Sequence, residues 1–173
     1  MTTGKCVSCV ITMMSAMALL FLFTGLSFAG EGAACPYCGM EKAKFAHSWV
    51  EIDYDNGTSG GFCSLHCAAI DMALHLDKTP KAIRVGSYKT RNLIDAEKAF
   101  WVIGGDRMGV MTTRAKWAFE NKDDADAFMK DHGGVPATYE NAVKATFEDM
   151  YEDIRMIQKK RKMMRMRKQK TQG

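Results

Sequence analysis

Cys35-Pro36-Tyr37-Cys38-Gly39-Met40 sets two thiols three residues apart, with a thioether two residues beyond the second. Soft sulfur donors of this kind select Cu(I) or Zn(II) over Mg(II) or Ca(II). Pro36 and Gly39 favour a turn that lets both thiols point the same way. The spacing also suits a disulfide in an oxidising compartment, or thioredoxin-like redox chemistry. The hexapeptide alone leaves these readings open.

A second thiol pair lies in Cys63-Ser64-Leu65-His66-Cys67, where a strand gives way to a helix. If the helix begins at Cys63, the two sulfurs share a face one turn apart, and the helix dipole favours the thiolate. His66 offers an imidazole one residue out of phase with Cys67. Cys35, Cys38, Cys63 and Cys67 together supply the donor count of an all-cysteine zinc site. Two disulfides are the alternative. The third stretch is the glycine-rich loop Gly104–Thr112, which carries Met108 and Met111. A loop methionine on a pliant backbone can present its thioether to Cu(I); packing at the core edge is the plainer use.

The surrounding elements follow from periodicity. Trp49, Val50, Ile52 and Tyr54 make a strand that turns at Asp55-Asn56-Gly57, a strong hairpin signal, into a second strand reaching Phe62. Leu65, Ala68, Ala69, Met72, Ala73 and Leu76 recur at helical spacing, and Ile83–Tyr88 is strand-like. The order strand, strand, helix, strand then recurs. Ala99–Ile103 and Lys116–Phe119 are strands. Asn121 caps a helix with Asp123 and Asp124 in its first turn, which stops at His132-Gly133-Gly134, and a last strand begins near Pro136. The fold class expected is α+β, two small ββαβ units packed together (residues 35–90 and 96–140). A C-terminal helical extension, 141–173, follows, with Val143, Phe147, Met150, Tyr151, Ile154 and Ile157 as its packing stripe. Its basic end, Lys159–Lys170, reads as a solvated, partly unstructured tail. Contact with anionic lipid or an acidic partner is the next use, and copper handling by Met156, Met163, Met164 and Met166 a further one.

Composition excludes several functions. The chain has 173 residues, six cysteines, fourteen methionines and a formal charge of +4. Nine of its 24 basic residues lie between Arg155 and Lys170, where there is no acid. With Lys5 also set aside, 24 − 10 = 14 basic residues face 20 acidic ones in residues 30–154, a charge of −6. The basic pI belongs to the tail and is no nucleic-acid signal. No Ser-His-Asp arrangement, paired carboxylates or phosphate-binding glycine motif stands out. Residues 1–29 read as an export segment: Lys5, an apolar run from Val10 to Phe23, and Ser27-Phe28-Ala29 for cleavage. Retention as a membrane anchor and lipidation at Cys35 are the other two fates, and all three place the body, residues 30–140, outside the cytoplasm, in a periplasm. Cys6 and Cys9 precede the apolar run and receive no role.

Taken together, Cys-x-x-Cys-Gly-Met, the following hairpin, Ile94-Asp95-Ala96, Met108-Gly109-Val110-Met111 and His132-Gly133-Gly134 resemble the accessory lipoprotein family of nitrous oxide reductase. The likeness spans about residues 35–140. It implies a periplasmic protein that binds Cu(I) and delivers it to the reductase, and a fold related to part of organomercurial lyase. By position, the family's Cu(I) ligands fall on Cys38 and Met111, with Met40 beside them. Cys63, His66, Cys67 and the basic tail have no counterpart in that pattern, and a different copper client is therefore an alternative. The resulting expectation is a non-enzymatic Cu(I) metallochaperone serving a cuproenzyme or another copper-transfer protein. Cys38 and Met111 hold the ion, and Cys35, Met40, Cys63, Cys67, Met108 or His66 complete the set. The rivals are a structural Zn(II) domain, should all four cysteines converge, and a thiol-disulfide oxidoreductase, should a helix open at Cys35–Cys38.

Overall fold

Glycine 57, at φ +81°, turns the chain between two strands whose register pairs Val50 with Phe62 and Asp53 with Ser59. These are β1 (Val50–Tyr54) and β2 (Ser59–Phe62) of a computed structural model that describes residues 33–172. The export segment and Cys6 and Cys9 lie outside the described residues. A one-turn helix α1 (Lys42–Phe45) precedes the hairpin, and α2 (Leu65–Leu74) and β3 (Pro80–Gly86) follow it. Next come β4 (Leu93–Asp95), β5 (Phe100–Ile103), β6 (Lys116–Phe119), α3 (Lys122–His132), β7 (Val135–Ala137) and α4 (Tyr139–Gln172). The class is α+β, as expected.

Two antiparallel sheets form, ordered β2-β1-β3-β4 and β6-β5-β7. In each, the first strand of the ββαβ order lies between its hairpin partner and the strand that returns after the helix. Strand β4 was not visible in the periodicity because three residues are too few to show alternation. The sheets meet where the Tyr88 amide donates to the Ala118 carbonyl at 2.8 Å. Trp49, Ile52, Phe62 and Trp101 fill one core together with Cys35, Cys63 and Cys67, while Trp117, Phe119 and Phe128 pack a second, smaller one. Each such burial stabilises the fold by roughly 1.5–3 kcal/mol. Gly86 permits β3 to run against the chain before β1, since a Cβ there would sit 1.8 Å from the Ala46 carbonyl oxygen.

The capping of α3 follows the sequence: Asn121 Oδ1 accepts from the Asp124 amide, and the Gly133 amide donates back to Met129. Two expectations need correction. Leu76 is not part of the α2 stripe; the helix stops at Leu74 and Leu76 is exposed. The basic tail is not unstructured, for α4 continues to Gln172. Residues 158–170 contain only Gln, Lys, Arg and Met, all good helix formers. Among the described residues, no helix is long and apolar enough to cross a membrane.

A third correction concerns how α4 packs. Phe147, Tyr151 and Ile154 are exposed, whereas Ala142, Ala145, Thr146 and Asp153 are buried. The helix docks by a face of small and polar side chains. Small residues let it come close, and its acids find fixed donors: Lys116 Nζ at 2.5 Å and Arg114 Nε at 2.8 Å from Asp149, and the Thr113 amide 3.0 Å from Asp153. Ion pairing of Lys116, whose side chain is almost fully buried, could not be read from hydrophobic period.

His47 sits half-buried against the rings of Trp117 and Tyr88, at 5.7 and 6.0 Å. Burial, aided by Arg91, holds its imidazole below the ordinary histidine range. The unfolded chain therefore takes up a proton near pH 6.5 that the folded chain refuses. Stability should fall as pH drops through that value, and His47→Gln should flatten this part of the profile. Urea midpoints of the metal-free protein at pH 7.5 and 5.5, for both chains, measure it; an unchanged slope in His47→Gln would refute the role.

Candidate metal centre

The first thiol pair is presented by a tight loop. The Gly39 amide donates to the Cys35 carbonyl at 2.8 Å and the Cys35 amide to the Met40 carbonyl at 2.9 Å, with Gly39 at φ +76°. Tyr37, between the two thiols, donates to Asp71 of α2 at 2.6 Å, and Tyr54 donates to the other oxygen of the same carboxylate. One acid thus ties the loop, β1 and α2 together. Asp71 was not singled out from sequence, because its partners lie 34 and 17 residues away.

The second pair arrives from the end of β2 and the first turn of α2. Helix α2 begins at Leu65, with Ser64 as its N-cap, so Cys63 precedes the helix. Its sulfur nevertheless lies 3.6 Å from Cys67 Sγ and 3.4 Å from Cys38 Sγ. All four sulfurs fall within 4.8 Å of one another, and none is in a disulfide. A tetrahedral thiolate site with metal–sulfur bonds near 2.3 Å has edges of about 3.8 Å. The donor set therefore fits a soft ion. Cys35, Cys63 and Cys67 are buried; Cys38 is the member that solvent reaches.

Contacts from the Cys63 and Cys67 thiols hold the Cys35 thiol far below its ordinary range. Hydrogen bonding to Cys35, with burial, pushes Cys63 and Cys67 the other way. The lowering expected for a Cys63 at a helix start does not hold, since the helix opens at Leu65 and hydrogen bonding to Cys35, with burial, acts the other way. Thiols must be deprotonated to ligate, so metal uptake by the cluster would release protons.

His66 does not join the thiols. One residue out of phase with Cys67, its ring turns to α4, where Nδ1 lies 3.5 Å from Asp153 Oδ2 with both side chains buried. Burial lowers its basicity, against the opposing pull of Asp153. It packs against α4 rather than joining the four thiols, which corrects the expectation that it completes the ligand set.

Met40 and Met111 line one groove with Cys38. It has a volume of about 440 Å³ and is walled by Phe45, Val110 and Met108 on one side and by Met156, Ile157 and Met164 of α4 on the other. Met163 and Met166 are exposed and do not line it. Met111 has φ +61°. Left-handed backbone costs a residue with a side chain roughly 1–2 kcal/mol, and such strain gathers at sites where a side chain must be aimed. The loop that imposes it is held by α4, through Thr113, Arg114 and Lys116.

A sequence profile of the NosL family matches residues 29–147. This chain belongs to the NosL family. The match covers the four cysteines, Met40 and both loop methionines, and stops within the first third of α4. Among solved structures, the copper chaperone NosL from Shewanella denitrificans aligns with a TM-score of 0.50 at 21% identity, covering 62% of this chain and 87% of that one. At that identity the likeness is one of fold. No curated protein matches the chain. Nor does the redox rival find its helix: α1 is a single turn that opens at Lys42, beyond both Cys35 and Cys38.

Proposed function

We propose that this protein is a Cu(I) metallochaperone, without catalytic activity of its own, which holds the ion at the thiol cluster and releases it through Cys38. The observation that carries this reading is the position of Cys38. It belongs to the cluster by its 3.4 Å approach to Cys63 and to the methionine groove by its exposed side. Cu(I) accepts two or three soft ligands, so an incoming sulfur can bind before an outgoing one leaves. Cys38 with Met111 or Met40 is placed for that exchange. Membership of the NosL family and the fold of a copper chaperone support the same assignment. Delivery to a cuproenzyme such as nitrous oxide reductase, or to another copper-transfer protein, and export to a periplasm complete the proposal. They rest on the family and on the character of residues 1–29.

Convergence of four thiols within 4.8 Å also favours a second reading, a structural Zn(II) site. The two differ at the groove. Zn(II) closes on four thiolates and has no use for a thioether, whereas Cu(I) does. Anaerobic titration of both ions against competing chelators separates them. Met111→Ala should weaken Cu(I) binding by about tenfold, near 1.4 kcal/mol, and leave Zn(II) unchanged; Cys38→Ser should weaken both. Unchanged Cu(I) affinity in both variants would remove Cys38 and Met111 from the site. Failure of the metal-free chain to fold, rescued by Zn(II) alone, would favour the structural reading.

A further inference from the structure

The groove beside Cys38 carries more sulfur than a single transfer site needs. Met40 reaches it from the cysteine loop, Met108 and Met111 from the loop between β5 and β6, and Met156 and Met164 from α4. Met156, Lys160 and Met164 stand at i, i+4 and i+8, on one face of the helix. That face meets the loop: Thr113 Oγ1 donates to Met156 Sδ at 3.5 Å, and Lys160 Nζ lies 3.7 Å from Met108 Sδ. Met156 and Met164 lie beyond residue 147, where the family match ends, so these donors belong to this chain's own extension.

Core packing is a poor account of them. Met108 is 71% exposed and Met164 60% exposed, where an apolar side chain gains little from burial. Thioethers are neutral, so they bind without releasing a proton, and they do not crosslink as thiols do in an oxidising compartment. They favour Cu(I) and leave Zn(II) to the thiolates. Lys160 and Arg161 at the rim oppose any cation, though solvent screens them; a site here must be weaker than the cluster.

We infer that the groove is a second Cu(I) site, in which Met108 and Met111 of the loop bind the ion together with either Met156 or Met164. Eight residues of α4 set those two about 12 Å apart, and the ion exchanges between them. It rests on the Cu(I) reading of the cluster and extends it: an ion leaving Cys38 is received by thioethers before it meets a partner. The groove is a binding step, and the copper stays Cu(I) throughout.

The test uses the full chain labelled with methyl-13C methionine and titrated anaerobically with Cu(I), with Ag(I) as a second soft probe. The first equivalent should bind tightly and leave the Met156 and Met164 methyl signals in place. A second, weaker by at least about 100-fold, should shift both signals, and Zn(II) should shift neither. Met156→Leu with Met164→Leu keeps the groove apolar; it should retain the tight equivalent and weaken the second by about tenfold or more. Unmoved Met156 and Met164 signals, or a second equivalent retained at full affinity in the leucine variant, would overturn the inference. A missing tight equivalent with the methyl shifts intact would instead sink the cluster reading and leave the thioether site standing.

Discussion

Replacing Cys63 by serine should lower Cu(I) affinity by at least about 100-fold, near 2.8 kcal/mol, more than loss of any other single donor. Cys63 Sγ is the sulfur that approaches both Cys38, at 3.4 Å, and Cys67, at 3.6 Å. Without it the exposed thiol loses its link to the buried ones. Serine offers a hard oxygen in a place solvent does not reach, which a soft ion does not accept. Competition with a Cu(I) chelator, read together with far-UV circular dichroism, measures the effect. A chain that stays folded and binds Cu(I) as tightly as before would show that the ion sits elsewhere, on Cys38 and the methionines alone. Cys67→Ser should follow the same pattern. Cys35→Ser removes another buried sulfur of the same four-thiol cluster and should also weaken Cu(I) binding.

The second large effect is on stability. Asp153→Ala should destabilise the fold by about 3 kcal/mol, since it leaves the Thr113 amide without its acceptor and opens a gap beside the buried His66 ring, whose Nδ1 lies 3.5 Å from the carboxylate. For a chain of this size that corresponds to a loss of roughly 6–12 °C in Tm. Asp153→Asn keeps an oxygen for the Thr113 amide and should cost less, about 1 kcal/mol. The functional consequence follows from position. Asp153 ties α4 to the loop that holds Met111 in left-handed backbone, and its other oxygen packs against His66 of α2, the helix that carries Cys67. Releasing it should weaken Cu(I) binding at the groove more than at the thiols. Thermal scans and Cu(I) titrations of both variants test this. Equal Tm values for wild type and Asp153→Ala would refute the anchor.

Much of the molecule was legible before any coordinates. Hairpin, helix caps and strand order came from local signals: Asn56-Gly57, Asn121 with Asp124, and alternation at Trp49–Tyr54. These act over a few residues, and local physics decides them. The packing of α4 was not legible. Its largest apolar side chains, Phe147, Tyr151 and Ile154, point to solvent, and its buried face is made of alanines, a threonine and Asp153, with half-buried Asp149 beside them. An apolar stripe marks a face by area buried; a face held by fixed donors on distant loops leaves no such mark.

The candidate site divides in the same way. Residue type by itself determined which soft donors this chain carries, because thiols at Cys35, Cys38, Cys63 and Cys67 and thioethers at Met40 and Met111 are donors whatever the fold. It also set aside hydrolytic and nucleic-acid chemistry. Which donors meet was decided only by the tertiary structure. Cys63 reaches the cluster from ahead of the helix, and His66, its close neighbour in sequence, turns away to Asp153. Cys38 and Met111, 73 residues apart by number, line one groove: the Cys38 loop is tied to α2 through Tyr37 and Asp71, and the Met111 loop to α4 through Thr113 and Asp153. Donor chemistry belongs to single residues. Distance between donors belongs to the packing of elements far apart in the chain, and for a metal distance is what selects the site.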